Sequence, residues 1–133
     1  AGVVYENITI PSMEISGGAT IRLDSNPNAN ESDKLVIKEL VGCNFSSENP
    51  LKLELSSPIP STGNRRTYEV LEFPKGTRQL YSSDFNLSAI TFDNADHDGT
   101  YKIVANVKNT PNGTQTVSVK RVYSREGTML FMR

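Results

Sequence analysis

The chain has 133 residues, one cysteine, an apolar share of 36% and a formal net charge of −1. This length suits one domain with a core of its own, and a single cysteine excludes a scaffold of intrachain disulfides. No apolar run approaches the roughly 18 residues of a membrane span, and a near-neutral charge disfavours a dedicated nucleic-acid binder. We therefore expect one domain over residues 1–133, with no membrane and no nucleic-acid partner, and with any signal peptide either already removed or never present.

The first third of the chain predicts short strands and a polar loop. A first strand carries Val4, Ile8 and Ile10 and ends at Pro11. After Met13, Ile15 and a turn at Gly17-Gly18, a second strand alternates apolar and polar residues at Ala19, Ile21 and Leu23. Residues 24–33 contain no apolar side chain larger than alanine, so they predict a surface loop that buries nothing.

The middle third predicts three more extended segments. Residues 35–45 are apolar on both faces and contain Gly42, which indicates one bent strand or two short ones. Cys43 is expected to be a buried, inert thiol, with Val41 and Phe45 on the same face. The segments 51–55 and 67–73 alternate apolar with charged or polar residues and predict half-buried strands.

The last third is dominated by a predicted hairpin. Residues 82–92 are expected to be extended, with Leu87, Ile90 and Phe92 pointing inward. Residues 98–122 predict two strands joined by Thr110-Pro111-Asn112-Gly113-Thr114, because an Asn-Gly pair tolerates positive φ. Val119 and Val122 would share a face only if a bulge lies at Lys120-Arg121.

No window shows apolar residues at helical spacing over three turns, and eight or nine short strands follow at intervals of about 8 to 12 residues. The sequence therefore predicts an all-β fold, a single antiparallel β-sandwich with either immunoglobulin-like or jelly-roll topology.

The approach to the hairpin resembles immunoglobulin-like domains. Gly99 and Tyr101 keep the glycine-to-tyrosine spacing that precedes the F strand of that family, with the acidic residue at Asp98 or Asp96. Ile103 stands where a cysteine is usual, and the chain has no tryptophan. The resemblance implies that the Tyr101 hydroxyl bonds nearby backbone. The strand count is similar to that of jelly-roll sandwiches, including bacteriophage capsid-decorating (cement) proteins.

Catalytic chemistry has little support in the sequence. The only histidine, His97, lies in an acidic turn and the only cysteine in a strand, so we expect no enzyme activity and no cofactor. Asn94, Asp96 and Asp98 followed by Gly99 form the first half of a calcium loop. The second half is missing, and the alternative is a solvated or self-bonded turn.

Two patterns bear on sugars. Sequons at Asn7, Asn30, Asn44, Asn86 and Asn112 would carry glycans on a secreted chain, although they can also arise by chance in an Asn/Ser/Thr-rich β protein. A sugar-binding module usually presents an aromatic platform, and Tyr68 or Tyr81, near Arg65, Arg66 and Arg78, is the best candidate for one.

The C-terminal residues Met129, Leu130, Phe131 and Met132 put apolar groups on both faces of a predicted strand. One face can cover this domain while the other contacts a partner; the alternative is a central core strand. We expect a non-enzymatic virion protein that decorates or cements a bacteriophage capsid, bound to the major capsid protein or to copies of itself at the virion surface. The alternatives are an extracellular or cell-surface carbohydrate-binding or adhesin module, and a secreted immunoglobulin-like receptor domain.

Overall fold

A computed structural model describes residues 5–61, 66–93 and 101–123. It contains twelve β-strands and one short 3-10 helix, η1. The strands are β1 (Asn7–Ile10), β2 (Met13–Ser16), β3 (Thr20–Leu23), β4 (Ser25–Asn26), β5 (Glu31–Ser32), β6 (Lys34–Ile37), β7 (Leu40–Asn44), β8 (Leu51–Leu55), β9 (Thr67–Phe73), β10 (Phe85–Asn86), β11 (Tyr101–Asn109) and β12 (Gln115–Tyr123), and η1 is Ser82–Asp84. The prediction of an all-β chain is confirmed. Within the described ranges, no helix is long and apolar enough to cross a membrane.

Most of the strands form three stacked sheets because the chain winds past the same three faces in turn. β1, β2 and β3 pair in parallel with β6, β7 and β8 respectively. On the next winding, β9 pairs in parallel with β6, and β10 with β8. Parallel neighbours need a long connection between them, and here the other two faces supply it. We call residues 7–23, 34–55 and 67–86 the first, second and third windings.

The prediction of antiparallel pairing holds for only part of the fold. Three of the eight ladders between described strands are antiparallel: β4 with β5, β9 with β12, and β11 with β12. The other five are parallel. An alternating pattern shows which side of a strand is buried but not which strand lies beside it, so these parallel ladders could not be predicted from the pattern.

The core lies between the three faces, where side chains stack from one winding to the next. The parallel registers place Ile10 beside Ile37, Ile21 beside Leu53, Leu23 beside Leu55, Leu35 beside Leu71, and Leu51 beside Phe85. Phe45, Phe73 and Phe85 come from the three different faces, and their ring centroids are 5.7 to 6.5 Å apart. This aromatic cluster ties the faces together in the interior.

The predicted hairpin is confirmed as β11 and β12, which extend the first sheet to the order β1-β6-β9-β12-β11. Gly113 has φ +88° in the turn, as the Asn-Gly pair indicated. The bulge that Val119 and Val122 would need in order to share a face is not present at Lys120-Arg121, since the β11–β12 register runs without interruption there. The irregularity lies instead between β12 and β9, where Val70 is the extra residue. Arg121 therefore shares the inward side of Val119, and Val122 faces the other way.

Several local predictions need correction. A register shift between Met13 and Glu14 makes Val41 the extra residue of β7, so its side chain is 63% exposed while Phe45 is buried. Cys43 is half-buried rather than buried. The loop at residues 24–33 contains the short pair β4 and β5, and Ser25 is buried. Ser25 bonds Ser56 and Ser57, which links this segment to the end of β8.

The segment at residues 82–92 is mostly not strand. It begins with η1, and only Phe85 and Asn86 form a strand, beside β8. The Asp84 carboxylate accepts a hydrogen bond from the Tyr81 N–H at 2.8 Å and thereby favours a turn here. Ile90 is buried as predicted, and Leu87 and Phe92 are half-buried against the core.

Candidate functional site

The first winding supplies the outer strand of each of the three stacked sheets. β1, β2 and β3 each pair with one described strand and have no described strand on the other side. In a strand paired on one side only, alternate backbone N–H and C=O groups point to the open side. One end of the fold therefore presents three strand edges together.

The edge of β1 is the least protected of them. Its sequence, Asn7-Ile8-Thr9-Ile10, carries no charge, and three of its four residues are β-branched. The Ile8 side chain is 37% exposed. By contrast, β2 carries Glu14 and β3 carries Arg22. Charged side chains on an edge discourage pairing with another chain, so β1 is the edge best suited to it.

The opposite edge of the same sheet is β11, which is longer but differently composed. Lys102 and Lys108 are exposed on this strand. Lysines on an edge strand oppose addition of a further strand. The five-stranded sheet therefore has one charged edge and one uncharged edge, and any strand addition is expected at β1.

A polar groove of about 470 Å³ runs beside the β1–β6–β9 face. Lys34 lies in it, with its Nζ atom 3.1 Å from Glu69 and 3.3 Å from Glu72. Burial lowers the pKa of Lys34, but the hydrogen bonds to both carboxylates raise it more, so the net shift is upward. An aromatic ring, amides and charged groups together can bind a polar ligand such as a sugar. The lining residues are Tyr5, Asn7, Asn30, Glu31, Ser32, Lys34, Thr67 and Glu69.

The structure decides between the two aromatic platforms considered for sugar binding. Tyr68 is 1% exposed and its hydroxyl donates to the Asn26 carbonyl at 3.0 Å, so it cannot serve as a surface platform. Tyr81 is exposed. Arg65 lies outside the described residues. Tyr5, in the polar groove, was missed because a lone tyrosine near a chain end carries no distinguishing pattern.

The sequons differ in their surroundings. Asn7, Asn44 and Asn112 are exposed. The side-chain oxygen of Asn30 accepts from the Thr67 N–H, and that of Asn86 accepts from the Ser88 N–H. Asn7 lies on β1 itself, so a glycan there would obstruct the edge. A glycan at Asn7 would therefore oppose strand addition at β1.

The other predicted site residues are not described. Asn94, Asp96, Asp98 and His97 fall within residues 94–100, and the proposed interface at Met129, Leu130, Phe131 and Met132 falls within residues 124–133. The calcium half-loop and the assembly strand stay predictions. In the described ranges, no group of three or more His, Cys, Asp or Glu residues could hold a metal ion.

Sequence reasoning also missed three buried polar residues. Arg121 is 2% exposed, lies 4.4 Å from the Tyr101 ring centroid and donates to the Pro60 carbonyl at 2.7 Å. The Tyr101 ring therefore packs against a buried guanidinium, and the expected bond from its hydroxyl to backbone stays a prediction. Gln115 and Asp84 are likewise buried and hydrogen-bonded. Polar residues inside a strand read as solvent-facing, so their burial carried no sequence signal.

Comparison with protein-family models, with curated proteins and with solved structures found no match in any of the three.

Proposed function

We propose that this chain is a non-enzymatic structural module that assembles with other protein chains through the edge of β1. The observation that carries the proposal is the uncharged, β-branched β1 strand at the open end of the first winding. Backbone hydrogen bonds from an added strand would supply affinity, and the exposed Ile8 side chain would add apolar contact. The partner is a second copy of the chain or a shell protein.

The most specific form of this proposal is decoration or cementing of a bacteriophage capsid, with the chain at the virion surface and the major capsid protein as partner. A module of this kind needs a rigid body and an adhesive edge rather than a catalytic centre. The stacked ladders supply the rigid body and β1 the edge. The apolar run Met129–Met132 in the sequence would add a second contact.

The test compares two single substitutions by light scattering coupled to size exclusion. Ile8→Lys places a charge on the β1 edge and should abolish self-association or binding to shells. Val41→Lys is the matched control, because Val41 is also an exposed apolar residue but lies on β7 in the second winding. Both variants should unfold at nearly the wild-type temperature. Equal loss of assembly in both variants, or retention in both, contradicts the proposal.

A carbohydrate-binding or adhesin module is the second candidate, and the polar groove is the observation that favours it. Glycan binding that is lost in Tyr5→Ala but kept in Ile8→Lys would favour this function over assembly. A secreted immunoglobulin-like receptor domain would instead be indicated by glycan occupancy at Asn7, which would oppose strand addition at β1.

A further inference from the structure

Among the described strands, the second face has no third strand, although the other two faces have one. β9 and β10 extend the first and third of the stacked sheets, whereas the described strands of the second sheet are β2 and β7. After β9 the chain turns sharply instead: the Thr77 N–H and hydroxyl both donate to the Pro74 carbonyl, at 3.2 and 2.7 Å. Gly76 has φ +94°, which a side chain would disfavour. A cleft of about 390 Å³ remains beside β7.

The wall of this cleft is held by the buried side chain of Gln115. Its Nε2 atom donates to the carbonyls of Thr77 and Arg78, at 3.2 and 2.8 Å. Its Oε1 atom accepts from the Leu80 N–H at 2.8 Å. A buried amide with all three bonds satisfied fixes the backbone that it contacts. The shape of the cleft wall is therefore fixed by these hydrogen bonds.

Three basic side chains line the cleft: Lys38, Lys75 and Arg78. Arg78 is anchored, since its Nη1 atom lies 3.1 Å from the Asp84 carboxylate and its Nη2 atom donates to the Phe45 carbonyl at 2.7 Å. Its side chain is nevertheless 41% exposed. The hydrogen bond that Arg78 donates to Asp84 raises the pKa of Arg78, so this guanidinium stays charged throughout the usual pH range.

Two carboxylates, those of Asp84 and Glu39, offset part of this positive charge. Asp84 is buried and already binds Arg78 and the Tyr81 N–H, so only Glu39 among the lining residues presents a negative charge. Lys38 and Lys75 are both exposed, and they follow β6 and β9 respectively. The cleft volume lies within the roughly 300–1,000 Å³ usual for ligand sites.

We propose that this cleft binds an oxyanion, a carboxylate or phosphate group, with Arg78 as its fixed cation and Lys38 and Lys75 as adjustable ones. The oxyanion can belong to a small phosphate-bearing ligand or to acidic side chains of a partner protein. The inference does not depend on assembly at β1, which lies on a different face.

Cys43 makes the proposal measurable, because it is the only cysteine of the chain and lines the same cleft while half-exposed. The probes are two aromatic disulfides, dithiobis-nitrobenzoate, which carries carboxylates, and dithiodipyridine, which is uncharged. A clustered positive charge raises the local concentration of anions. The ratio of anionic to neutral reaction rates should be about tenfold higher at Cys43 than for free cysteine at low salt, and should fall as salt is added.

Lys38→Gln combined with Lys75→Gln should remove most of this preference, whereas Lys102→Gln with Lys108→Gln, on β11, should leave it unchanged.

Competition identifies the source of the oxyanion. Protection of Cys43 by pyrophosphate indicates a phosphate ligand, and protection only by a glutamate-rich peptide indicates an acidic partner. A rate ratio equal to that of free cysteine overturns the proposal. If Cys43 reacts with neither reagent, the unfolding temperature is measured with and without pyrophosphate. A rise no larger than that of the Lys38→Gln, Lys75→Gln variant overturns the proposal.

Discussion

Gln115 shows how one buried polar side chain can replace a strand. On the second face of the third winding no β-ladder satisfies the backbone, and the Gln115 amide bonds two carbonyls and one N–H instead. A buried backbone group without a partner costs about 1–3 kcal/mol, so this residue is needed for folding as well as for the shape of the cleft.

Gln115→Leu preserves bulk but removes these hydrogen bonds. We expect a loss of about 1–3 kcal/mol in the free energy of unfolding, measured by chemical denaturation, and faster hydrogen exchange at the Leu80 amide. Lys108→Leu is the control, since Lys108 is exposed on β11, the other strand of the hairpin that carries Gln115. A loss no greater than that of the control would mean that the segment is held by other contacts.

Leu53 occupies the centre of the core, beside Ile21 of the first winding. Leu53→Ala should lower the free energy of unfolding by about 2–5 kcal/mol, because the cavity forms inside packed ladders. Lys52→Ala, on the exposed side of the same strand, should change it by less than about 0.5 kcal/mol. A loss at Leu53 well under about 1 kcal/mol would remove this residue from the core.

Tyr68 is expected to make the stability of the fold fall at alkaline pH. Burial raises its pKa above the ordinary value of 10.0, because ionisation in the core is unfavourable. The unfolded chain therefore loses the proton first, and the stability present below pH 10.0 declines as pH rises through the higher folded pKa. Urea midpoints measured from neutral pH upward should show this decline.

Tyr68→Phe removes the titrating group and also the bond to Asn26, so its stability at neutral pH is lower but its alkaline decline is shallower. Lys34 contributes a residual decline, because its pKa is also raised. Burial lowers this pKa, but the hydrogen bonds to Glu69 and Glu72 raise it more. An alkaline slope identical in the two chains would show that Tyr68 does not titrate differently on folding.

At the scale of elements, alternation predicted the strands but not their neighbours. The segments 51–55 and 67–73 coincide with β8 and β9, and the hairpin is β11 and β12. The windings have unequal lengths: Asn7 pairs with Lys34, 27 residues away, but Leu35 pairs with Leu71, 36 residues away. No fixed repeat marks the ladders, so the sequence alone favoured a sandwich.

The same limit applies to the candidate sites. The β1 edge could be seen only once β1 was known to be outermost, although its uncharged, β-branched composition was visible. The oxyanion cleft joins Lys38 to Lys75 and Arg78 across the chain, and no local spacing connects them. The apolar run at residues 129–132 was predicted from four consecutive apolar side chains, and it lies outside the described part of the chain.

Deleting Thr128 to Arg133 tests that run. If it is an assembly strand, the truncated chain should unfold thermally much as the full chain does while losing its oligomer or its attachment to particles, as light scattering would show. A truncated chain that fails to fold would assign the run to the core and leave β1 as the remaining assembly surface.

In the molecule as a whole, the stacked sheets have unlike ends. The strands of the first winding have no described strand on their outer side, whereas the hairpin continues the first sheet at the other end and carries lysines on its outer strand. Unlike ends suit directional attachment, in which one end binds and the other faces solvent. We therefore propose that the chain functions through the end formed by the first winding.

Hydrogen exchange on assembled and unassembled chain tests that claim most directly, with Ile8→Lys as the unassembled reference. Assembly through β1 should slow exchange of amides within Asn7–Ile10 by at least about tenfold, since they gain partners, and leave those of β11 unchanged. Protection confined to β11, or no change at β1 in chain shown by light scattering to be assembled, would contradict the account.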